Sequence, residues 1–241
     1  MTSPGLVTRP AGGARVTVRV HVVGLDVSPA ERRRCAALLC DAERARAASF
    51  RFAADRDRYV VGRGMLRRIL ARSGAGPPER IVIAEGRWGK PAISPPSALR
   101  FNVAHSGERA LVAVAHGREV GVDVERVRPL ADVMALGRRV CTPAELRQLT
   151  AVPMQHRSAA LLRCWTRKEA CVKSLGVGLR QPFDGFEVGA EPDARAETRT
   201  VVLTTVDVGR AVVALADVVL AGPWVGAVAI SAGPSGTVGW P

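Results

Sequence analysis

The sequence predicts an α+β fold made of two pseudo-symmetric halves, each a small antiparallel sheet packed with a long helix. Three features carry that expectation. Residues 15 to 26 alternate valine with other residues, the period-two signature of a strand with one buried face. Ser28-Pro29-Ala30-Glu31 and Thr142-Pro143-Ala144-Glu145 repeat one capping signal: a hydroxyl residue, proline at the first helical position and a glutamate three residues on. Each is followed by a long segment with helical spacing that ends on glycine, near Ser73-Gly74 and near Leu175-Gly176.

Residues 1–14, with Pro4, Pro10 and Gly12-Gly13, read as a flexible leader, and the strand at 15–26 follows. The first capped helix runs through Leu38, Leu39 and Ala42 and closes on Phe50 and Phe52. Tyr59, Gly62, Leu66, Ile69 and Leu70 place a longer helix at 55–72, where Gly62 and Gly64 let another backbone approach closely. Residues 73–78 stop it, a short strand is expected at 81–84, and proline-rich chain at 94–97 reads as a loop. A hairpin is expected from strands 110–115 and 120–125 around His116-Gly117-Arg118-Glu119. After the second long helix, strands are expected at 182–188, 201–206, 211–220 and 225–230, with an exposed loop at 191–200 and a mobile tail from 231. The halves therefore divide into 15–106 and 107–230.

Composition bounds the function. The 241 residues carry a formal net charge of +13, which invites an anionic partner. No run of five basic residues, no finger and no basic helix is present and aromatics are 4%, so no nucleic-acid partner is expected. Five cysteines without a C-x-x-C read as buried free thiols in a reducing cytosol. The start of the chain lacks a signal-peptide pattern and no stretch reaches the roughly 20 apolar residues of a membrane span, so a cytoplasmic protein is expected. Of 35 basic residues only Lys90, Lys168 and Lys173 are lysine, which marks those positions.

Two segments gather chemistry. Trp165, Glu169 and Lys173 recur every four residues and share one helix face, running toward Gly176 and Gly178. In Gly121-Val122-Asp123-Val124-Glu125 the two carboxylates occupy alternate strand positions, roughly 6 to 7 Å apart on one face. Two carboxylates that close repel unless a cation or proton lies between them. With Glu169 they form an all-oxygen set suited to Mg²⁺; on its own the strand also reads as a solvated edge partnered by Arg126 and Arg128. His105, between small residues, has room to reach a ligand and equally suits a structural role, whereas His21, His116 and His156 show no ligand spacing. The phosphate-binding loop, dinucleotide and nucleophile-elbow motifs are absent.

Taken in order, Trp88-Gly89-Lys90-Pro91, residues 101–106 (Phe-Asn-Val-Ala-His-Ser), residues 121–125 and residues 165–173 (Trp-Thr-Arg-Lys-Glu-Ala-Cys-Val-Lys) resemble the 4′-phosphopantetheinyl transferases, and within them the two-half surfactin-synthetase type. The resemblance spans about residues 16 to 230. It implies that coenzyme A binds between the halves, with Mg²⁺ held by Asp123, Glu125 and Glu169. It further implies that Lys173 stabilises developing charge, that His105 contacts the coenzyme phosphates, that Lys90 lies near the adenosine end, and that Arg58, with Arg46, serves the 3′-phosphate. Ala104 stands where the family usually has serine, and Glu43 where it has a second lysine.

The implied reaction is Mg²⁺-dependent transfer of 4′-phosphopantetheine from coenzyme A to a serine of an apo acyl or peptidyl carrier protein. It releases 3′,5′-ADP, and Glu169 takes the hydroxyl proton. A monomer with pseudo-twofold symmetry is expected, and Trp165 reads as a structural anchor. The alternative reading is a non-catalytic coenzyme A or carrier-protein binding module; a nucleic-acid binder is more distant.

Overall fold

The computed structural model describes residues 6–8, 16–86, 89–176, 181–191, 197–205 and 209–232. Gly178, Trp88 and the tail beyond Ala232 lie outside the described residues. Two four-stranded antiparallel sheets stack face to face, each with a long helix on its outer side. The first contains β1 (Leu6–Thr8), β2 (Val16–Gly24), β5 (Leu99–Ser106) and β6 (Arg109–His116), in the order β1-β2-β6-β5. The second contains β7 (Val120–Arg126), β8 (Arg199–Thr205), β9 (Gly209–Asp217) and β10 (Trp224–Ser231), in the order β7-β10-β9-β8. A small pair, β3 (Val82–Glu85) with β4 (Pro91–Ser94), flanks the first sheet.

Strand alternation decides which side chains meet. Ala110, Val112 and Val114 of β6 pack with Val61, Leu66, Ile69 and Leu70 of the long helix α3 (Ala53–Leu70). Leu111, Ala113 and Ala115 point the other way, against Val120, Val122 and Val124 of β7 and Val228 and Ile230 of β10. On the far side, Ala227 and Ala229 of β10 pack with Leu161, Cys164 and Cys171 of the second long helix, α6 (Met154–Leu175). The odd-numbered residues of β7, Gly121, Asp123 and Glu125, therefore turn toward α6.

Four expectations are corrected. The leader contributes an edge strand, since Leu6–Thr8 pair with Val16–Val18 and satisfy the free edge of β2. The first capped helix is two helices, α1 (Pro29–Ala36) and α2 (Asp41–Ala48), because Glu43 bonds back to the Cys40 N–H at 3.0 Å and starts a new helix. Strands β6 and β7 are not a hairpin: β6 is already bonded on both edges, by β2 and β5, so the chain crosses over and β7 pairs with β10. Strand β6 thus belongs to the first sheet, past the boundary drawn at residue 106. Finally, 182–188 is not a strand but carries a 3-10 turn at Phe183–Gly185, with its backbone groups bonded to buried side chains.

Those side chains are Lys168 and Glu145. Lys168 Nζ donates to the carbonyls of Phe183 at 2.5 Å and Phe186 at 2.6 Å and pairs with Glu145 Oε2 at 2.7 Å. Glu145 Oε1 accepts from Val188 N–H at 2.6 Å and Gly189 N–H at 3.0 Å. Thr142 and Glu145 also complete the reciprocal cap of α5 (Pro143–Ala151). At the matching N-terminus of α1, Ser28 accepts from Glu31 N–H, but the Glu31 carboxylate pairs with Arg34 and Arg68 instead. A further helix, α4 (Val133–Val140), joins β7 to α5. Four of the free cysteines are buried as expected and Cys40 is exposed. Among the described residues no helix is long and apolar enough to cross a membrane.

Candidate active site

The site lies between β7 and the last two turns of α6. Their separation is set by Gly121: a Cβ there would stand 2.1 Å from the Ala170 carbonyl oxygen and 2.3 Å from the Ser174 nitrogen. Only hydrogen at this position lets strand and helix touch through their backbones. Two residues along β7, Asp123 Oδ1 accepts from Lys173 Nζ at 2.6 Å, and Glu169 Oε2 is 3.7 Å from the same ammonium. Gly176, left-handed at φ 67°, ends α6 just beyond Lys173.

Burial dominates the electrostatics. Asp123 is 6% exposed and Glu169 8% exposed. Desolvation pushes the Asp123 carboxyl up to about 7; Lys173 opposes the rise, while Glu169 and Glu125 add to it. Glu169 is also raised, first by burial, with Lys173 again opposing and Glu125 reinforcing. Asp123 Oδ2 is buried and has no hydrogen-bond partner. A buried carboxylate oxygen left open, with two more carboxylates in electrostatic reach, is the all-oxygen chemistry that a hard divalent cation such as Mg²⁺ takes, but Asp123, Glu125 and Glu169 do not converge on one point as they stand; among the described residues the acidic and thiol groups that do converge are Cys141, Glu145 and Cys164.

Glu125 is placed by the first half. Strand β5 runs beside β7, joined by side chains instead of a backbone ladder. Asn102 Oδ1 accepts from the Val122 N–H at 2.9 Å, Ser106 Oγ donates to Glu125 Oε2 at 2.8 Å, and Ser106 Oγ accepts from the Arg126 N–H at 3.2 Å. Periodicity does not single out Asn102 and Ser106, although both lie in the 101–106 motif; the signal the sequence carries is an asparagine between Phe101 and Val103. His105, on the opposite pleat from Ser106, is exposed at the end of β5.

The remaining expected residues are spread over the first half. Arg58 of α3 pairs with Asp26, Nε to Oδ1 at 2.8 Å, and feels Glu108 in the turn after His105. Arg46 of α2 is exposed, its guanidinium 5.4 Å from the Phe50 ring centroid. Lys90 Nζ is bonded to Glu119 Oε2 at 2.6 Å and to the Lys173 carbonyl at 2.9 Å. Burial lowers the Lys90 pKa while Glu119 raises it. Glu43 is buried between Arg63 and Arg67, at 2.6 and 2.8 Å, which gives this departure from the family pattern a structural role. Ala104 is buried between the two sheets. Trp165 packs edge-on against Phe183, ring centroids 5.2 Å apart, and anchors its stripe.

Known proteins match both halves of the chain. The model described as the 4′-phosphopantetheinyl transferase superfamily matches residues 119–221, and that of the 4′-phosphopantetheinyl transferase N-terminal region matches 27–117. The chain is 32% identical to the 4′-phosphopantetheinyl transferase HetI of a Nostoc species, over 80% of this chain and 83% of that protein. The chain belongs to the 4′-phosphopantetheinyl transferase superfamily. Other relatives are the 4′-phosphopantetheinyl transferase psf-1 of Bacillus pumilus, 30% identical over 65% of this chain and 66% of that protein, and the 4′-phosphopantetheinyl transferase of Bacillus subtilis, 26% identical over 73% and 78%. In this transferase the two family matches meet at the crossover from β6 to β7, where the Asn102 bridge joins the sheets.

Proposed function

We propose that the protein transfers the 4′-phosphopantetheine group of coenzyme A to a serine hydroxyl of an apo acyl or peptidyl carrier protein, releasing 3′,5′-ADP. The observation that supports this most is the buried Asp123, Glu169 and Lys173 cluster, with Asp123 Oδ2 open. Asp123, Glu125 and Glu169 would hold Mg²⁺, which when bound neutralises pyrophosphate charge and acts as a Lewis acid.

The protein's own groups do the rest. Lys173 presents a compact positive charge to the phosphates, and Glu169, made more basic by burial, accepts the serine proton. His105 contacts the coenzyme phosphates, with Arg58 and Arg46 on the 3′-phosphate side. Phosphoryl-type transfer depends chiefly on positioning and charge neutralisation, which this cluster supplies. The formal charge of +13 steers an acidic carrier and an anionic coenzyme toward the site. The protein works as a monomer in the cytosol, where its thiols stay reduced.

Incubation with coenzyme A, Mg²⁺ and a panel of apo carrier proteins tests the reading by mass spectrometry. The expected result is one added phosphopantetheine per carrier with matching release of 3′,5′-ADP. Uptake of coenzyme A without mass gain on any carrier would overturn it in favour of a binding module.

A further inference from the structure

A charged contact ties the first half of the fold to the end of α6. Lys90, between β3 and β4, spends its ammonium on Glu119 Oε2 at 2.6 Å and on the Lys173 carbonyl oxygen at 2.9 Å. The other Glu119 oxygen lies 2.8 Å from Arg100 Nε of β5. The Lys90 stem runs beside Gly176, since a Cβ there would stand 3.8 Å from Lys90 Cδ. Carbonyls in the last turn of a helix lack their usual partners four residues on. Here the Lys173 carbonyl is shared by the Gly176 N–H at 3.3 Å and the Lys90 ammonium, and a cation at a helix C-terminus is also favoured by the dipole.

We propose that Lys90 and Glu119 are positioning residues for the transfer: together they clasp the carboxyl-terminal turn of α6 to the first half and so fix the Lys173 ammonium against Asp123. This rests on the transferase activity proposed for the same site. Lys173 acts as a point charge on a flexible stem, so its aim depends on where its own backbone is held. Lys90 holds that backbone through the carbonyl of the same residue. Glu119 holds Lys90 and is itself held by Arg100. Two of the three donors of the Lys90 ammonium are engaged this way.

Lys90→Met and the near-isosteric Glu119→Gln test the clasp, with one readout independent of catalysis. In hydrogen–deuterium exchange on the ligand-free protein, amides 172–176 should exchange roughly tenfold faster in both variants, the scale of one lost charge-assisted hydrogen bond. Earlier turns of α6 should stay unchanged. Unaltered exchange in the last turn of either variant overturns the proposal. In steady-state carrier modification, kcat should fall about tenfold in both, and KM for coenzyme A should stay unchanged in Glu119→Gln, as expected for misaimed groups. A raised KM for coenzyme A at unchanged kcat in Lys90→Met, with Glu119→Gln silent, would make Lys90 a ligand contact and overturn the clasp. If the wild-type protein modifies no carrier, the transferase reading fails while the exchange result still decides the clasp.

Discussion

Gly121 of β7 and Ala170 of α6 meet backbone to backbone, so closely that a Cβ on Gly121 would stand 2.1 Å from the Ala170 carbonyl oxygen. Gly121→Ala must push α6 away from β7, and the obstacle is backbone, which cannot swing aside. Overpacking of this kind costs about 1–3 kcal/mol. The loss of activity should exceed that of stability, because the same displacement separates Asp123 from Lys173, now 2.6 Å apart. Urea midpoints and carrier modification, both measured where the variant is folded, check this; full activity in Gly121→Ala would show that the contact does not set the site.

The bridge between the two sheets predicts a second effect. Asn102→Leu removes the acceptor of the buried Val122 N–H and leaves that donor unpaired, which should destabilise by about 1–3 kcal/mol. Ser106→Ala, at a half-buried position, should cost less, roughly 0.5–1.5 kcal/mol, while freeing the Glu125 carboxylate. Equal losses in the two variants would contradict the difference in burial.

The buried pair of Lys168 and Glu145 predicts a non-additive pattern. Removing either partner strands an uncompensated charge, so Lys168→Met and Glu145→Gln should each cost about 3–5 kcal/mol. The double variant should be less destabilised than the sum, since neither charge is left alone. A double-mutant cycle in urea measures the coupling, and strict additivity would mean that the pair does not act as a unit. Proteolysis within 183–189 should rise in both single variants, because this segment relies on the pair in place of a strand ladder.

The parts of the site that were legible in the sequence are the local ones. Glu169 and Lys173 share a face because a helix repeats every 3.6 residues, and Asp123 and Glu125 share one because a strand repeats every two. What periodicity does not carry is the partner. It marks β6 and β7 as strands without saying that β2 and β5 already occupy both edges of β6. Phe183, Phe186 and Val188 suggest a strand at 182–188, yet Pro182, Asp184 and Gly185 suit a turn, and the backbone hydrogen bonds go to Lys168 and Glu145, residues set by distant parts of the chain. Lys90 stood out as a rare lysine, but its attachment to Glu119 and to the α6 carbonyl exists only once the halves are docked.

Asp123→Ala and Glu169→Ala should each abolish detectable carrier modification while leaving the protein folded. Neither side chain fills the apolar core, and each variant relieves one of the charges that crowd the site. Circular dichroism and the carrier assay together check this. Normal turnover in either variant would remove that residue from the proposed metal and base set.

The raised Asp123 pKa fixes the sign of a pH effect. The folded protein holds this proton up to about pH 7, whereas the unfolded chain releases it near 3.8. Between those values the folded state binds more protons than the unfolded state, so this carboxyl's contribution to stability falls as pH rises. It is most favourable below about pH 4 and fully lost above about pH 7, and the raised Glu169 adds in the same direction. Comparing urea midpoints at pH 5 and pH 8, wild type should lose more stability on going to pH 8 than Asp123→Asn, which has no such proton to release. Added Mg²⁺ requires ionised carboxylates, so its stabilisation of wild type should be larger at pH 8 than at pH 5 and accompanied by proton release. An equal pH dependence in Asp123→Asn and wild type would show that the ammonium of Lys173, and not burial, governs this carboxyl, since a carboxyl held at or below 3.8 is ionised in both states from pH 5 to pH 8.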